Sequence, residues 1–433
     1  MKNKRILLCL CRMGGGEMKY IEEAFADNWV VPLGPNVNGF EADLQRFLAS
    51  APSPERLDAA CADMPEAPVK SVVALSAGTA AVHLALIGCG VGPGDEVMVQ
   101  SFTFSASANP VRYLGAVPVF VDSEPDTWNM DPVLLDRAIA DRVEKTGRKP
   151  KAIISVYLYG MPANIDAIME VARKWDIPVV EDAAEAFGSR YRGRCCGTFG
   201  RYGVLSFNGN KMITTSGGGA LVCESPEAAD RIKFLATQAR ENYPYYQHEE
   251  IGYNYRMSNI CAGIGRGQME VLDEHIAHHR RVQQLYRELL AGVDGITLHD
   301  NPSPEIDSNF WLCAATLDDG THVAGEEKAY SSPSGSLVGG VAATARAAVS
   351  AHTAVEPDAA VEALRVALNA ENIESRPLWK PMHLQPVFAS SPSYVNGVSE
   401  RLFRRGICLP AGPWVSDADV ERIVAAIASV ITM

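Results

Sequence analysis

Short, predominantly apolar runs recur along this chain, separated by segments whose apolar residues fall at helical spacing. Residues 71–75, 94–100, 117–122, 152–157, 177–182, 203–207 and 219–222 are such runs, each closed by small or turn-forming residues. Runs of this length without polar alternation read as buried strands. Their alternation with helices argues an α/β fold built on a largely parallel sheet. A fold of that kind keeps its ligands in the crevice beyond the carboxyl ends of the strands.

Two of those ends carry charge. The run 177–182 closes on Glu181-Asp182, and Lys211 lies on the connection between the runs 203–207 and 219–222. A loop lysine is ordinarily solvated, because lysine is seldom buried. Placed among Phe207, Met212 and Ile213, Lys211 would serve as an amine nucleophile, as in Schiff-base enzymes. A buried Asp facing a pyridine nitrogen keeps that nitrogen protonated and the ring electron-poor, so Asp182 and Lys211 together form the pair that pyridoxal phosphate needs. Glu185 follows Asp182 by about one helical turn, which lets both carboxyls face one ligand. The stretch Ser76-Ala-Gly-Thr79 breaks a strand and opens a helix. Ala77, Gly78 and Thr79 thus offer backbone N–H groups and a hydroxyl at a helix N-terminus, which suits a phosphate. Taken alone, that stretch is an ordinary helix cap.

These segments resemble the DegT/DnrJ/EryC1/StrS sugar-nucleotide aminotransferases. The resemblance is carried by Met13-Gly-Gly-Gly-Glu17, Leu75-Ser-Ala-Gly-Thr-Ala-Ala81, Gly92-Pro-Gly-Asp-Glu96, Ser101-Phe-Thr-Phe104, Val180-Glu-Asp-Ala-Ala184, Ser206-Phe-Asn-Gly-Asn-Lys211 and Gly252-Tyr-Asn-Tyr-Arg-Met-Ser258, in the family's order across nearly the whole chain. It implies a fold-type I architecture: a large domain with a mostly parallel sheet of seven-stranded type, residues 1–280, and a smaller C-terminal α+β domain, residues 281–433. It implies pyridoxal phosphate held by Lys211, Asp182, Glu185 and Ala77 to Thr79, with Phe104 on the ring face and Ser206 on the phosphate. Asn254 and Arg256 match a loop that crosses to a partner subunit, so a homodimer with a shared site follows. Tyr157, Arg256, Arg376, Trp379, Lys380 and His383 match substrate-handling positions. Among the family's branches the closest motifs are those of 4-aminotransferases acting on UDP-2-acetamido-2,6-dideoxy-4-hexulose, with glutamate as donor. Another keto sugar, at C3 or linked to dTDP or GDP, and a non-catalytic regulator on the same fold are the competing readings. A dehydratase of this fold replaces the lysine by His, and Lys211 speaks against it.

The remaining features exclude more than they assign. Net charge is −13 and no Lys/Arg-rich run interrupts the mixture, which argues against nucleic acid or an anionic membrane as partner. The ten cysteines include no C-x-x-C pair and read as reduced residues rather than disulfides or a zinc site. His275, His278 and His279 share a helix with no accompanying ligand set, so no metal is expected. The apolar run 6–10 is too short for a signal peptide, and no run approaches a membrane span of about 20 residues, which points to the cytoplasm. The Gly/Ala/Ser-rich stretch 318–355 replaces a short connection in relatives and reads as a flexible surface insertion.

Overall fold

The computed structural model describes residues 4–50, 70–329 and 355–432. The apolar runs form one sheet: β1 Ser71–Leu75, β2 Glu96–Gln100, β3 Val117–Val121, β4 Ala152–Val156, β5 Val179–Asp182, β6 Tyr202–Ser206 and β7 Gly219–Cys223. Their order across the sheet is β1-β7-β6-β5-β4-β2-β3. β7 runs antiparallel to both neighbours, and the other pairs are parallel. The short strand Ser393–Tyr394 adds an eighth member, parallel to β3. At the other edge Arg256 bridges to Leu75, and Ala74 donates its N–H to Glu41 Oε1 at 2.9 Å.

Both faces of this sheet are covered, which is why the runs show no polar alternation. Val72, Ala74, Met98 and Ile153 point into a core shared with Phe40, Leu135, Ile168 and Ala262 from helices Pro35–Ala49, Pro132–Thr146, Ile165–Trp175 and Asn259–Met269. Val73, Leu75, Val97 and Ile154 point the other way, against helices Gly78–Gly88 and Pro226–Ala236. Helix Pro132–Thr146 shows how sequence sets such boundaries. Asp131 caps its start by accepting from Val133 and Leu134 N–H, Pro132 occupies the first turn, and Gly147 ends it at φ +69°.

A second, antiparallel sheet runs Ile296–Leu298, Cys313–Leu317, Gly406–Leu409, Arg376–Pro377. Its core takes Tyr286, Leu364 and Ile423 from helices Leu272–Leu290, Ala359–Ala370 and Asp417–Ala428. The chain crosses the expected division at residue 280 in both directions: Ile6 belongs to this second core, whereas Ile306, Phe310, Met382 and Phe388 join the cores of the first sheet and Ser393–Tyr394 extends that sheet.

The stretch expected to be flexible from residue 318 is ordered at its start. His322–Val323 pairs with Ile431–Thr432, and Thr321 Oγ1 donates to Gly295 O at 2.9 Å. Backbone pairing supplies there what the scarcity of large apolar side chains does not. Residues 330–354, most of the expected insertion, lie outside the described residues. No helix among the described residues is long and apolar enough to cross a membrane.

Candidate active site

β6 and β7 are antiparallel neighbours, so the loop that carries Lys211 leaves and re-enters the sheet at the same end, where Ser206 pairs with Gly219. Phe207 N–H donates to Gly218 O and Thr215 N–H donates back to Phe207 O, both at 2.9 Å, which folds the loop tightly. Within it Lys211 N–H donates to Asn208 O at 3.0 Å. The lysine side chain is only 14% exposed. Its Nζ lies 3.4 Å from Glu185 Oε1 and 4.2 Å from the centroid of the Trp311 ring.

Asp182 is the last residue of β5, and its carboxylate is held on both oxygens. Ser107 Oγ donates to Oδ2 at 2.6 Å and Ala184 N–H to Oδ1 at 3.2 Å. Burial raises its pKa above the ordinary carboxylate value, against the pull of the Ser107 hydroxyl, the Ala184 N–H and the Lys211 charge. Glu185 Oε2 accepts the Tyr159 N–H at 2.7 Å, an orientation that Tyr159 reaches with a left-handed φ of +55°. Burial pushes the Glu185 carboxyl up to about 7, with Lys211 as the main opposing influence.

That value carries a testable consequence. A carboxyl that is more basic when folded favours folding at low pH, and the contribution is lost as pH rises from about 4.5 through about 7. In the cofactor-free protein Glu185→Gln should flatten part of the fall in melting temperature across that window, leaving the part due to Asp182. Thermal melts with the same pH profile as the parent would contradict the burial argument.

Helix Gly78–Gly88 starts beside these groups. Its N-cap is Ala77, which has no side chain to cap the first turn, so the leading N–H groups are free of that competitor. The approach is close. A Cβ on Gly219 would come within 2.4 Å of Gly78 N, and one on Gly78 within 3.0 Å of Ser206 Cβ. Glycine at both positions brings the helix start against the Ser206 hydroxyl.

One cavity of about 320 Å³ gathers Ala77, Gly78, Thr79, Phe104, Asp182, Glu185, Ser206, Lys211 and Trp379 from the sequence-derived set. Phe104 is 56% exposed and tilts against Trp379 at 5.4 Å between ring centroids, whereas Phe102 is fully buried. A larger groove of about 910 Å³ against Arg46, Arg190 and Arg280 contains none of these residues.

Six residues fall elsewhere. Tyr157, expected at the crevice, is fully buried and donates its hydroxyl to Glu181, which also accepts the Gly197 and Gly200 N–H groups. The reason is the period of two at the end of β4: Val156 lines the cavity, so its neighbour points away. Asn254 is exposed and Arg256 lies 4.0 Å from Glu41, and neither lines this chain's own cavity. Arg376 pairs with Glu374 at 3.2 Å. Lys380 does not line the cavity, and His383 lies behind it with Nδ1 at 2.6 Å from Ser101 Oγ.

Trp311, Tyr159 and Ser107 belong to the site and had no signal of their own in the sequence. The run Asn309-Phe-Trp-Leu-Cys-Ala314 reads as strand, and only its last two residues join one, which starts at Cys313. Phe310 takes φ +49° and turns Trp311 into the cavity. Among the described residues no three His, Cys, Asp or Glu converge as a metal site, and His279 places Nδ1 3.1 Å from Phe310 O.

The profile of the DegT/DnrJ/EryC1/StrS aminotransferase family matches residues 12–329 and 335–428. The "Putative pyridoxal phosphate-dependent aminotransferase EpsN" of Bacillus subtilis is 42% identical over 98% of this chain and 95% of its own length. GDP-perosamine synthase of Caulobacter vibrioides is 34% identical over 99% of this chain and 98% of its own. Among solved structures, a DegT DnrJ EryC1 StrS aminotransferase from Brucella abortus superposes with TM-score 0.77 at 27% identity, covering 95% of this chain and 94% of that one. Profile, relatives and fold agree with a lysine, an acid and an uncapped helix start around one cavity: the chain belongs to the DegT/DnrJ/EryC1/StrS aminotransferase family and is a pyridoxal phosphate-dependent transaminase.

Proposed function

We propose that this cavity binds pyridoxal phosphate through Lys211 and that the enzyme moves an amino group from glutamate to C4 of a nucleotide-linked 4-keto-6-deoxy sugar. UDP-2-acetamido-2,6-dideoxy-4-hexulose is the first candidate. The observation that carries the reading is the convergence of Lys211, Asp182 and Glu185 on the cavity that the start of helix Gly78–Gly88 also lines.

The residues fit the cofactor group by group. The uncapped N–H groups at Gly78 and Thr79, with the Ser206 hydroxyl, suit its phosphate. Asp182 suits its ring nitrogen, since a protonated pyridine would pair the buried carboxylate and relieve the cost of burying it alone. Phe104 offers a face for the ring, and Glu185 a hydrogen-bonding partner at its edge. Bound there, pyridoxal phosphate supplies the electron sink and carries the amino group between donor and acceptor.

The chain's own work is positional and protonic. Lys211 Nζ, flanked by Glu185 and Trp311, is the base that takes the proton from the donor's α-carbon and returns one at the sugar carbon. Trp379, just past the second sheet's strand Arg376–Pro377, packs against Phe104 and the two wall the cavity, limiting water beside that proton transfer. Asn254 and Arg256 act in a neighbouring copy, as the exposure of Asn254 beside Tyr245, Tyr246 and Ile251 supports. Sedimentation should then give a dimer, and an active monomer would overturn the shared site.

The name of the Caulobacter relative favours a GDP-linked sugar as the second reading. Incubating the enzyme with glutamate and a panel of UDP-, GDP- and dTDP-linked 4-keto and 3-keto sugars, followed by product analysis, decides between them. Amination of a 3-keto sugar alone would reject C4 transfer.

A further inference from the structure

Lys211 sits in a turn whose three successive carbonyls all bond outside the turn. Gly209 O accepts the Cys11 N–H at 3.2 Å. Asn210 O accepts the Trp311 Nε1–H at 2.6 Å and the Cys9 thiol at 3.3 Å, and Lys211 O accepts the Cys11 thiol. Loop carbonyls ordinarily face water, so three consecutive ones held in this way mark a turn fixed from outside. Burial raises both thiols, that of Cys11 to about 12, so both remain S–H donors near neutral pH. The two cysteines are two apart, and both thiols reach carbonyls of this one turn. Along its length the same segment is stitched to the second sheet's unit. Ile6 N–H donates to Asn372 O at 3.0 Å, Glu374 N–H to Ile6 O at 2.9 Å, and Ala411 N–H to Leu8 O at 2.9 Å. Trp311 acts twice, once through its N–H on Asn210 O and once through its ring face under Lys211 Nζ.

We propose that residues 6–12 and Trp311 form a clamp on the catalytic turn, in which Cys9, Cys11 and Trp311 are positioning residues that set where the Lys211 amine stands. The proposal rests on Lys211 being the cofactor-anchoring amine. The bland reading of each member is packing, since a buried cysteine behaves as a small apolar residue and Trp311 fills an aromatic cluster. Donor-selective substitutions separate the two. Trp311→Phe keeps a ring under Nζ and removes the N–H. Cys9→Ala with Cys11→Ala removes both thiol donors, and Cys9→Ser with Cys11→Ser restores donors in a similar volume.

Three readouts on the holoenzyme apply: kcat and KM, the pH titration of the cofactor absorbance, and amide hydrogen exchange in peptides covering residues 208–212. Trp311→Phe should lower kcat about tenfold, with KM changed by less than about twofold, as expected when one hydrogen bond that holds the turn is lost. It should also move the midpoint of the absorbance titration and speed exchange in the turn. The double Ala variant should shift the same three readouts in the same direction by less, because S–H is a weak donor, and the double Ser variant should return them toward the parent. Unchanged midpoint and exchange in Trp311→Phe and the double Ala variant overturn the clamp. So does a double Ser variant as impaired as the double Ala one, which is the signature of packing. If Trp311→Phe does not load cofactor, the Ser and Ala pair alone decides. Lys211→Ala serves as control: retention of the reducible absorbance there rejects Lys211 as the anchoring amine, whereas its loss beside indifferent clamp variants rejects only the clamp.

Discussion

Lys211→Ala should abolish the borohydride-reducible absorbance of the purified enzyme and lower turnover by about 10⁴-fold, the upper range for removing a positioned acid–base group. The expectation follows from the lysine's confinement. With 14% of its side chain exposed and its amine between Glu185 and Trp311, no second amine is placed to replace it: among the described residues the cavity lining contains no other lysine. The variant should still fold, because alanine removes a buried cation near Glu185 and leaves the turn's backbone bonds in place. Absorbance, reduction trapping and turnover measured on one preparation test the role. Reducible absorbance and turnover at parental levels would mean that another group anchors the cofactor.

Asp182→Asn should lower kcat by about 10²–10³-fold while the protein remains folded, the loss typical of removing one preorganised charge from an active site. Asparagine keeps the shape and an acceptor for the Ala184 N–H. The Ser107 hydroxyl can turn to accept from the new amide and donate to Thr103, since either of that pair serves as donor. What disappears is the negative charge. Burial already makes that charge costly in the cofactor-free chain, so the melting temperature without cofactor should be equal or higher near neutral pH. A large fall in cofactor-free stability would assign Asp182 a structural role instead. Activity near the parental level would reject the pairing with a ring nitrogen.

The parts of the fold legible in the sequence were those dictated by local chemistry. The runs that became β1 to β7 were recognisable because both their faces are buried, which leaves no polar alternation to confuse the pattern. Asp182, Lys211, Ser206 and Gly78 were legible because they stand at or just beyond strand ends, and the sheet order β1-β7-β6-β5 brings those ends near one another. Tyr157 was misplaced by one step of strand alternation, a shift that sends a side chain to the opposite face. Trp311 was hidden because its neighbours read as strand, whereas a left-handed Phe310 precedes the strand and swings the indole inward. Arg376, Lys380 and His383 depend on how the second sheet docks on the first, and nothing local in residues 375–388 encodes that. The tie from Trp379 N–H to the Tyr159 hydroxyl, 2.9 Å, is likewise a product of that docking.

The occupied edges of the large sheet bear on how two copies can meet. Beyond β3 the ladder is taken up by Ser393–Tyr394, and beyond β1 the positions at Ala74 and Leu75 are taken up by Glu41 and Arg256, so the chain itself consumes pairing sites that an outer strand otherwise offers. Continuous β-structure across a subunit boundary is thereby disfavoured at the catalytic end. The same closure guards against the edge-to-edge aggregation to which open sheets are prone, and it leaves side-chain surfaces as the means of association between neighbouring molecules.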